Sequence, residues 1–382
     1  VRAGAHGGHA ALALALFPEG AERNKALGAF GAVSGAGGAI GVLAGGMLTT
    51  WLSWPWIFFV NLPVGALIVA GARPLLPESR ADLARRFDIA GAVTVTGGLS
   101  LLVYAVVTAG SHGWASATTA GLLAGAAVLL AAFVAIEARS AAPLLPLVFF
   151  RNRTATAANL AGLLLGAVMF PMFVFLSLYM QQVLGYSAIK TGLAFLVIAG
   201  GLIASSGLAQ GLVTRAGPKL VLTAGLLGLA IAQVLFLRLP AVGRFTTDLL
   251  PGFLLVAVAL GLSFVGDVIA STTGVRHDDA GLASGLINTS QQIGGAIGLA
   301  VTTTIAASRT AALLHTGHRP AVALAGGFHD VYAVTGALAI AAALVAAILI
   351  RRTRPAGEVP PSVSLSPSEA SYANFRGDHD DN

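Results

Sequence analysis

The chain has 382 residues, 56% of them hydrophobic and only 10% charged, with a mean hydropathy of +0.83, whereas a soluble domain carries about 25% charged residues. A water-soluble surface cannot be built from that inventory, and the absence of cysteine excludes disulfides, iron–sulfur clusters and thiolate metal sites. The net charge of +6 is scattered between apolar runs and not gathered in one patch, which argues for a membrane topology signal and against a nucleic-acid surface.

In chain order, VRAGAHGGHAALALALF (1–17) holds about eight consecutive apolar residues, too few to cross a bilayer. A span cut through its middle accounts for it more simply than an amphipathic stub. After the charged turn PEGAERNKALG (18–28), apolar runs separated by polar punctuation predict ten full spans: 27–49, 55–72, 88–109, 115–136, 156–179, 190–213, 218–238, 249–271, 281–307 and 328–350. Each run is about twice the ~9 to 11 residues of a membrane strand and lacks sustained alternation, so an all-α polytopic membrane fold is expected. From Arg351 the sequence turns rich in Pro, Ser and Asp and reads as a disordered cytoplasmic tail. Its His379, Asp380 and Asp381 could in principle hold a metal, but a solvated acidic terminus is the favoured reading, and no HxxxH or HExxH spacing occurs.

Alternating faces put Arg23, Lys25, Arg73, Arg80, Arg85, Arg86, Arg139, Arg151, Arg153, Arg215, Lys219, Arg276, Arg351, Arg352 and Arg354 on one side, against Lys190, Arg238, Arg244, Arg309 and Arg319 in loops on the other. The richer side is expected in the cytoplasm, together with the C-terminus. The four tryptophans, Trp51, Trp54, Trp56 and Trp114, fall at the outer ends of spans, where an amphipathic ring prefers the headgroup zone.

Half of GAVSGAGGAIGVLAGG (31–46) is glycine or nearly so, and Gly37, Gly41 and Gly45 recur every four residues, with Gly28 upstream and Gly46 alongside. In lipid such a stripe lets helix backbones approach, and generic small-residue packing is sufficient from spacing alone. The stretch nevertheless resembles the antiporter motif in the fifth span of drug-exporting members of the major facilitator superfamily, with Val42 standing where that motif usually has proline. LSWPWIFFVNLPVG (52–65), PEGAERNKALG (18–28) and DDAGLASGLINTSQQIGGAIGLA (278–300) resemble segments of its fourteen-span proton-driven branch, the EmrB and QacA type, in register over residues 17–350.

The resemblance implies a layout: 1–17 a remnant of the fourth span, 18–72 the end of the first helical bundle, 73–136 two inserted spans, 137–350 the second six-helix bundle, and 351–382 the tail. It implies a monomer in the cytoplasmic membrane that exports lipophilic or cationic drugs, antibiotics or related metabolites by alternating access. The driving force is the proton gradient, with no cofactor, no metal and no nucleic acid. The alternative is an inactive truncated relic of such an exporter.

A charge in hydrocarbon needs a reason to be there. Asp267 lies about five residues from the inner end of its span, roughly 7 Å deep by helix rise. It is a candidate proton-coupling carboxylate, but a hydrated position near the inner mouth is favoured at that depth. Asn288, Gln291 and Gln292 sit mid-span, with Ser284, Gly285, Asn288, Gln292 and Gly295 on one helical face. These amides either bind substrate in a cavity or bond neighbouring helices. Asp88 reads as an N-cap after two arginines, Arg23 as a gating or topology charge, and Glu137 with Arg139 as wet residues at a span end. No catalytic constellation is expected.

Overall fold

The computed structural model describes residues 41, 44–75, 88–140, 143–273, 275 and 280–351. Its regular structure is helical: α1 (Trp56–Phe59), α2 (Asn61–Leu75), α3 (Ile89–His112), α4 (Ala117–Glu137), α5 (Arg153–Leu178), α6 (Ala188–Ala216), α7 (Pro218–Phe236), α8 (Leu250–Thr272), α9 (Ala280–His315) and α10 (Pro320–Leu349). A further helical stretch covers 44–51. Among the described residues eight segments, one for each of α3 to α10, are long and apolar enough to cross a membrane. The expected span at 55–72 is helical in two pieces interrupted at Val60, and most of the span expected at 27–49 lies outside the described residues.

Local chemistry sets several of the ends. Asp88 caps α3, its Oδ1 accepting the Gly91 N–H at 2.7 Å. Ser116 caps α4, Asn152 caps α5 through the Thr154 and Ala155 amides, and Ser187 caps α6. Gly217 joins α6 to α7 at φ 79°, a left-handed conformation that glycine adopts without steric cost, and Pro218 opens α7 where no amide donor is needed.

α5 to α10 form one bundle, with α5 against α8, α9 and α10, and α7 and α8 completing the other side. One end of the bundle is pinned by aromatic rings. Phe195 and Phe253 stack at 5.7 Å, Phe236 and Phe245 meet Phe253 edge-on, and Phe236 reaches Tyr332 at 5.5 Å. Tyr179, in the π-helical turn that ends the α5 span, donates its hydroxyl to the Pro240 carbonyl at 2.7 Å, tying the loop after α7 to the bundle.

α3 and α4 form a separate hairpin that touches the bundle through α3 and α9. At Gly110 an added Cβ would come within 3.2 Å of the Thr304 hydroxyl.

Two expectations are corrected. Arg309 is not a loop residue: α9 runs on to His315 and α10 begins at Pro320, so the loop is short, and Arg309 faces Asp330 across the two helices at 3.6 Å. Polar residues near these helix ends made helix that extends past the hydrocarbon read as loop. Glu137 is not wet. It is 4% exposed and accepts the Leu144 and Leu145 amides at 3.2 and 3.1 Å, closing the turn after α4.

Glu137→Ala would leave both amides without their acceptor, a cost of about 1–3 kcal/mol. Thermal unfolding of the purified full-length protein should show lower stability for this variant, with Glu137→Gln intermediate.

Candidate functional site

The closest helix crossing in the bundle is built from glycine. α5 carries Gly162 and Gly166 in GLLLG, and α9 carries Gly294 and Gly298 in GGAIG, two small-xxx-small pairs on facing helices. A Cβ on Gly166 would collide with the Gln291 carbonyl oxygen, and one on Gly294 with the Leu163 carbonyl oxygen. A Cβ on Gly298 would come within 2.6 Å of the Ala167 carbonyl oxygen. Backbone therefore lies on backbone, with no side chain between them.

Asp267 of α8 is seated at this crossing. Its carboxylate faces Gly162, where an added Cβ would sit 2.8 Å from Oδ2, and Gln291 of α9 donates through Nε2 to that oxygen at 3.1 Å. Oδ1 has no hydrogen-bond partner among the described residues, and the side chain has no exposed surface. One residue along α9, Ser290 donates to Oδ1 of Asn159 at 3.3 Å, and Asn159 returns its own amide to the Ala155 carbonyl at 2.8 Å. Consecutive α9 residues thus reach α5 and α8 by polar contacts in the same turn.

The hydrated inner-mouth position favoured for Asp267 is overturned. Depth along a helix axis says nothing of lateral burial, and the side chain lies against Gly162 and Gln291 with no exposed surface. The three amides also separate. Gln291 turns inward to Asp267, whereas Asn288 and Gln292 are exposed on the opposite face with Ser284 and Gly285, where an added Cβ would meet nothing within 4 Å. Gly295, expected on that same face, is instead buried against the Phe170 ring.

The remaining sequence candidates lie elsewhere. Gly28, Gly37 and Arg23 fall outside the described residues. Gly41 and Gly45, expected to line a packing groove, have nothing within 4 Å of an added Cβ among the described residues, and the close approach falls on Gly46, 3.2 Å from the Ala188 carbonyl oxygen at the start of α6. Asp88 is the α3 cap and stands near Glu137, both carboxylates lying about Gly91. The sequence reading missed Gly162, Gly166, Gly294, Gly298 and Asn159. The GxxxG spacing, and an asparagine inside an apolar run, were the signals that could have found them.

The pattern of the Major Facilitator Superfamily matches residues 2–299. The chain belongs to the major facilitator superfamily. It is 38% identical over 348 residues to the puromycin resistance protein pur8 of Streptomyces alboniger, covering 89% of this chain and 68% of that protein. It is 39% identical over 303 residues to the cephamycin export protein CmcT of Amycolatopsis lactamdurans, covering 77% and 61%. With the tetracenomycin C resistance and export protein of Streptomyces glaucescens it shares 32% over 295 residues, covering 77% and 54%. The chain thus spans 54% to 68% of the length of these three relatives. The superfamily consists of membrane transporters, and the eight long apolar helices give this member a multi-pass architecture.

Gly294→Ala forces a methyl group onto the Leu163 carbonyl and should destabilise the full-length protein by about 1–3 kcal/mol. Gly285→Ala, beside open space, should be neutral or slightly stabilising through helix propensity. Thermal unfolding of the two variants in detergent checks the contrast, and equal behaviour would remove the tight crossing.

Proposed function

We propose that the protein exports lipophilic small molecules across the cytoplasmic membrane in exchange for protons, by alternating access. The observation that carries this reading is Asp267, a carboxyl group buried without exposure in the bundle, one helix away from an open polar face that bears Asn288 and Gln292. A carboxyl group binds and releases one proton. A charge held at such depth costs at least about 2.5–3.5 kcal/mol unless its surroundings compensate it, so a transporter that moves this group between environments can use the proton to bias its state.

In this reading Asp267 takes the proton, and Asn288 and Gln292 offer amide donors and acceptors to a substrate held chiefly by apolar surface. Gly28, Gly37, Gly41, Gly45 and Gly46 belong to the antiporter motif. The approach of Gly46 to Ala188 supports its packing on α6 at the outer end, where closing and opening would gate the cavity. Arg23 is a cytoplasmic gating charge, and Asp88 anchors the inner end of the first inserted span. The names of the three relatives, which refer to puromycin resistance, cephamycin export, and tetracenomycin C resistance and export, support an antibiotic or related metabolite as substrate.

The fourteen-span layout follows as part of the same proposal. Residues 18–72 end the first bundle, 73–136 supply the two inserted spans, and 137–350 form the second bundle. The separate α3–α4 hairpin and the six-helix packing of α5 to α10 support that division. The working unit is a monomer with its C-terminus in the cytoplasm.

Cells expressing the full-length protein should accumulate less ethidium and less puromycin than the empty host, and a protonophore should abolish the difference. Asp267→Asn, at matched membrane levels, should return accumulation to that of the empty host. Export by Asp267→Asn at the parent rate would remove this residue from coupling. For orientation, a reporter fused after Arg354 should be cytoplasmic and one inserted at Gly113 external, and finding both on one side would overturn the span assignment.

A further inference from the structure

Gln291 occupies a position that neither the sequence reading nor the export proposal explains. It shares a helical turn with Asn288 and Gln292, yet its side chain points the other way and makes the one hydrogen bond that Asp267 receives among the described residues. Its own backbone carbonyl rests on Gly166 with no room for a Cβ between them. The side chain contacting the buried carboxyl group and the two open amides therefore ride on the same turn of α9.

We propose that Gln291 is the positioning residue through which protonation of Asp267 is conveyed to the open face of α9. The inference rests on the reading of Asp267 as the proton site. An ionised carboxylate only accepts hydrogen bonds, and the Gln291 N–H supplies one to Oδ2. When a proton bonds to Oδ2, the carboxyl group becomes a donor there, and Gln291 pairs that O–H only if it turns its carbonyl oxygen to face it. A proton on Oδ1 has no acceptor among the described residues, and a buried O–H left unpaired is costly. Protonation thus favours the turned amide.

The backbone of α9 cannot move closer to α5, because its carbonyl already lies on Gly166. The change is expressed as a rotation of this turn, which carries Asn288 and Gln292 with it. The Ser290–Asn159 bond in the same turn, at 3.3 Å, is the contact that such a rotation lengthens.

No other charge is placed to intervene. On the elements packed against α8, the described charged or titratable groups are Arg153 on α5, Lys190 and Arg215 on α6, Lys219 on α7, and Arg309 and His315 on α9, with Asp248 at the far end of the α8 span itself. Tyr179, in the π-turn after α5, lies at the outer end, bonded to Pro240. None is ion-paired or hydrogen-bonded to Asp267 among the described residues.

The experiment needs no substrate. This sequence contains no cysteine, so Asn288→Cys introduces a single thiol here, any cysteine elsewhere in the full-length protein being replaced by serine. The alkylation rate of that thiol by a soluble maleimide is measured in mildly acidic and mildly alkaline buffer. Each rate is normalised to the same thiol in unfolded protein at that pH, and the ratio of the two is the readout.

We expect a ratio that departs clearly from one in the parent, and its loss in both Asp267→Asn and Gln291→Leu. Gln291→His, which keeps a donor and an acceptor, should restore it in part. A merely structural role for Gln291 would slow or speed labelling equally at both pH values and leave the ratio unchanged. If Asp267→Asn flattens the ratio while Gln291→Leu keeps it, the positioning role is overturned and the proton site stands. Should Asp267→Asn keep the parent ratio, the proton-site reading itself fails. A ratio of one in the parent overturns both. Gln291→Met replaces the leucine variant if that one is not recovered as a monodisperse protein.

Discussion

Two helices whose backbones touch organise this bundle. Where Gly166 of α5 crosses Gly294 and Gly298 of α9, main-chain carbonyl groups lie where side chains would otherwise stand. In lipid there is no water to press helices together, so such contacts must supply their own attraction through close packing and polar bonds. The crossing does more than hold two helices. It encloses the carboxyl group of Asp267, fixes which face of α9 turns inward, and leaves Asn288 and Gln292 on the opposite side.

The same logic runs through the rest of the bundle with different residues. α8 lies close to α6 through Gly261, which sits against Ser205, and Ser205 donates across the interface to the Ala257 carbonyl at 2.9 Å. It lies close to α7 through Gly266, which faces Leu222, and through Ser263, which faces Gly225. Small residues and polar links thus join the helices toward one end, while stacked and edge-on phenylalanines fill the other end around Phe253.

The hairpin of α3 and α4 depends on a different economy. One end of it is held by two carboxylates that serve backbone amides, Asp88 at the start of α3 and Glu137 at the end of α4. Its link to the bundle is made through α3 on α9, where Gly110 meets Thr304. The helix that carries the open amides is therefore also the one on which the hairpin leans.

Much of this was written in one dimension. Hydropathy alone specified a helical membrane protein, because a run of about twenty apolar residues can satisfy its backbone in lipid only as a helix. The spans α3 to α8 lie within about four residues of where composition placed them. The Asp88 cap was legible because capping is decided within a few residues of sequence, and a glycine stripe signalled close packing without naming its partner. What the sequence could not decide was lateral position. Asp267 at the same depth could have faced water, lipid or protein, and Gln291 and Gln292 differ by only one residue while pointing to opposite fates. Those outcomes belong to the crossing of α5, α8 and α9, because burial in a bilayer is set by which helix lies alongside, and that partner is far away in the chain.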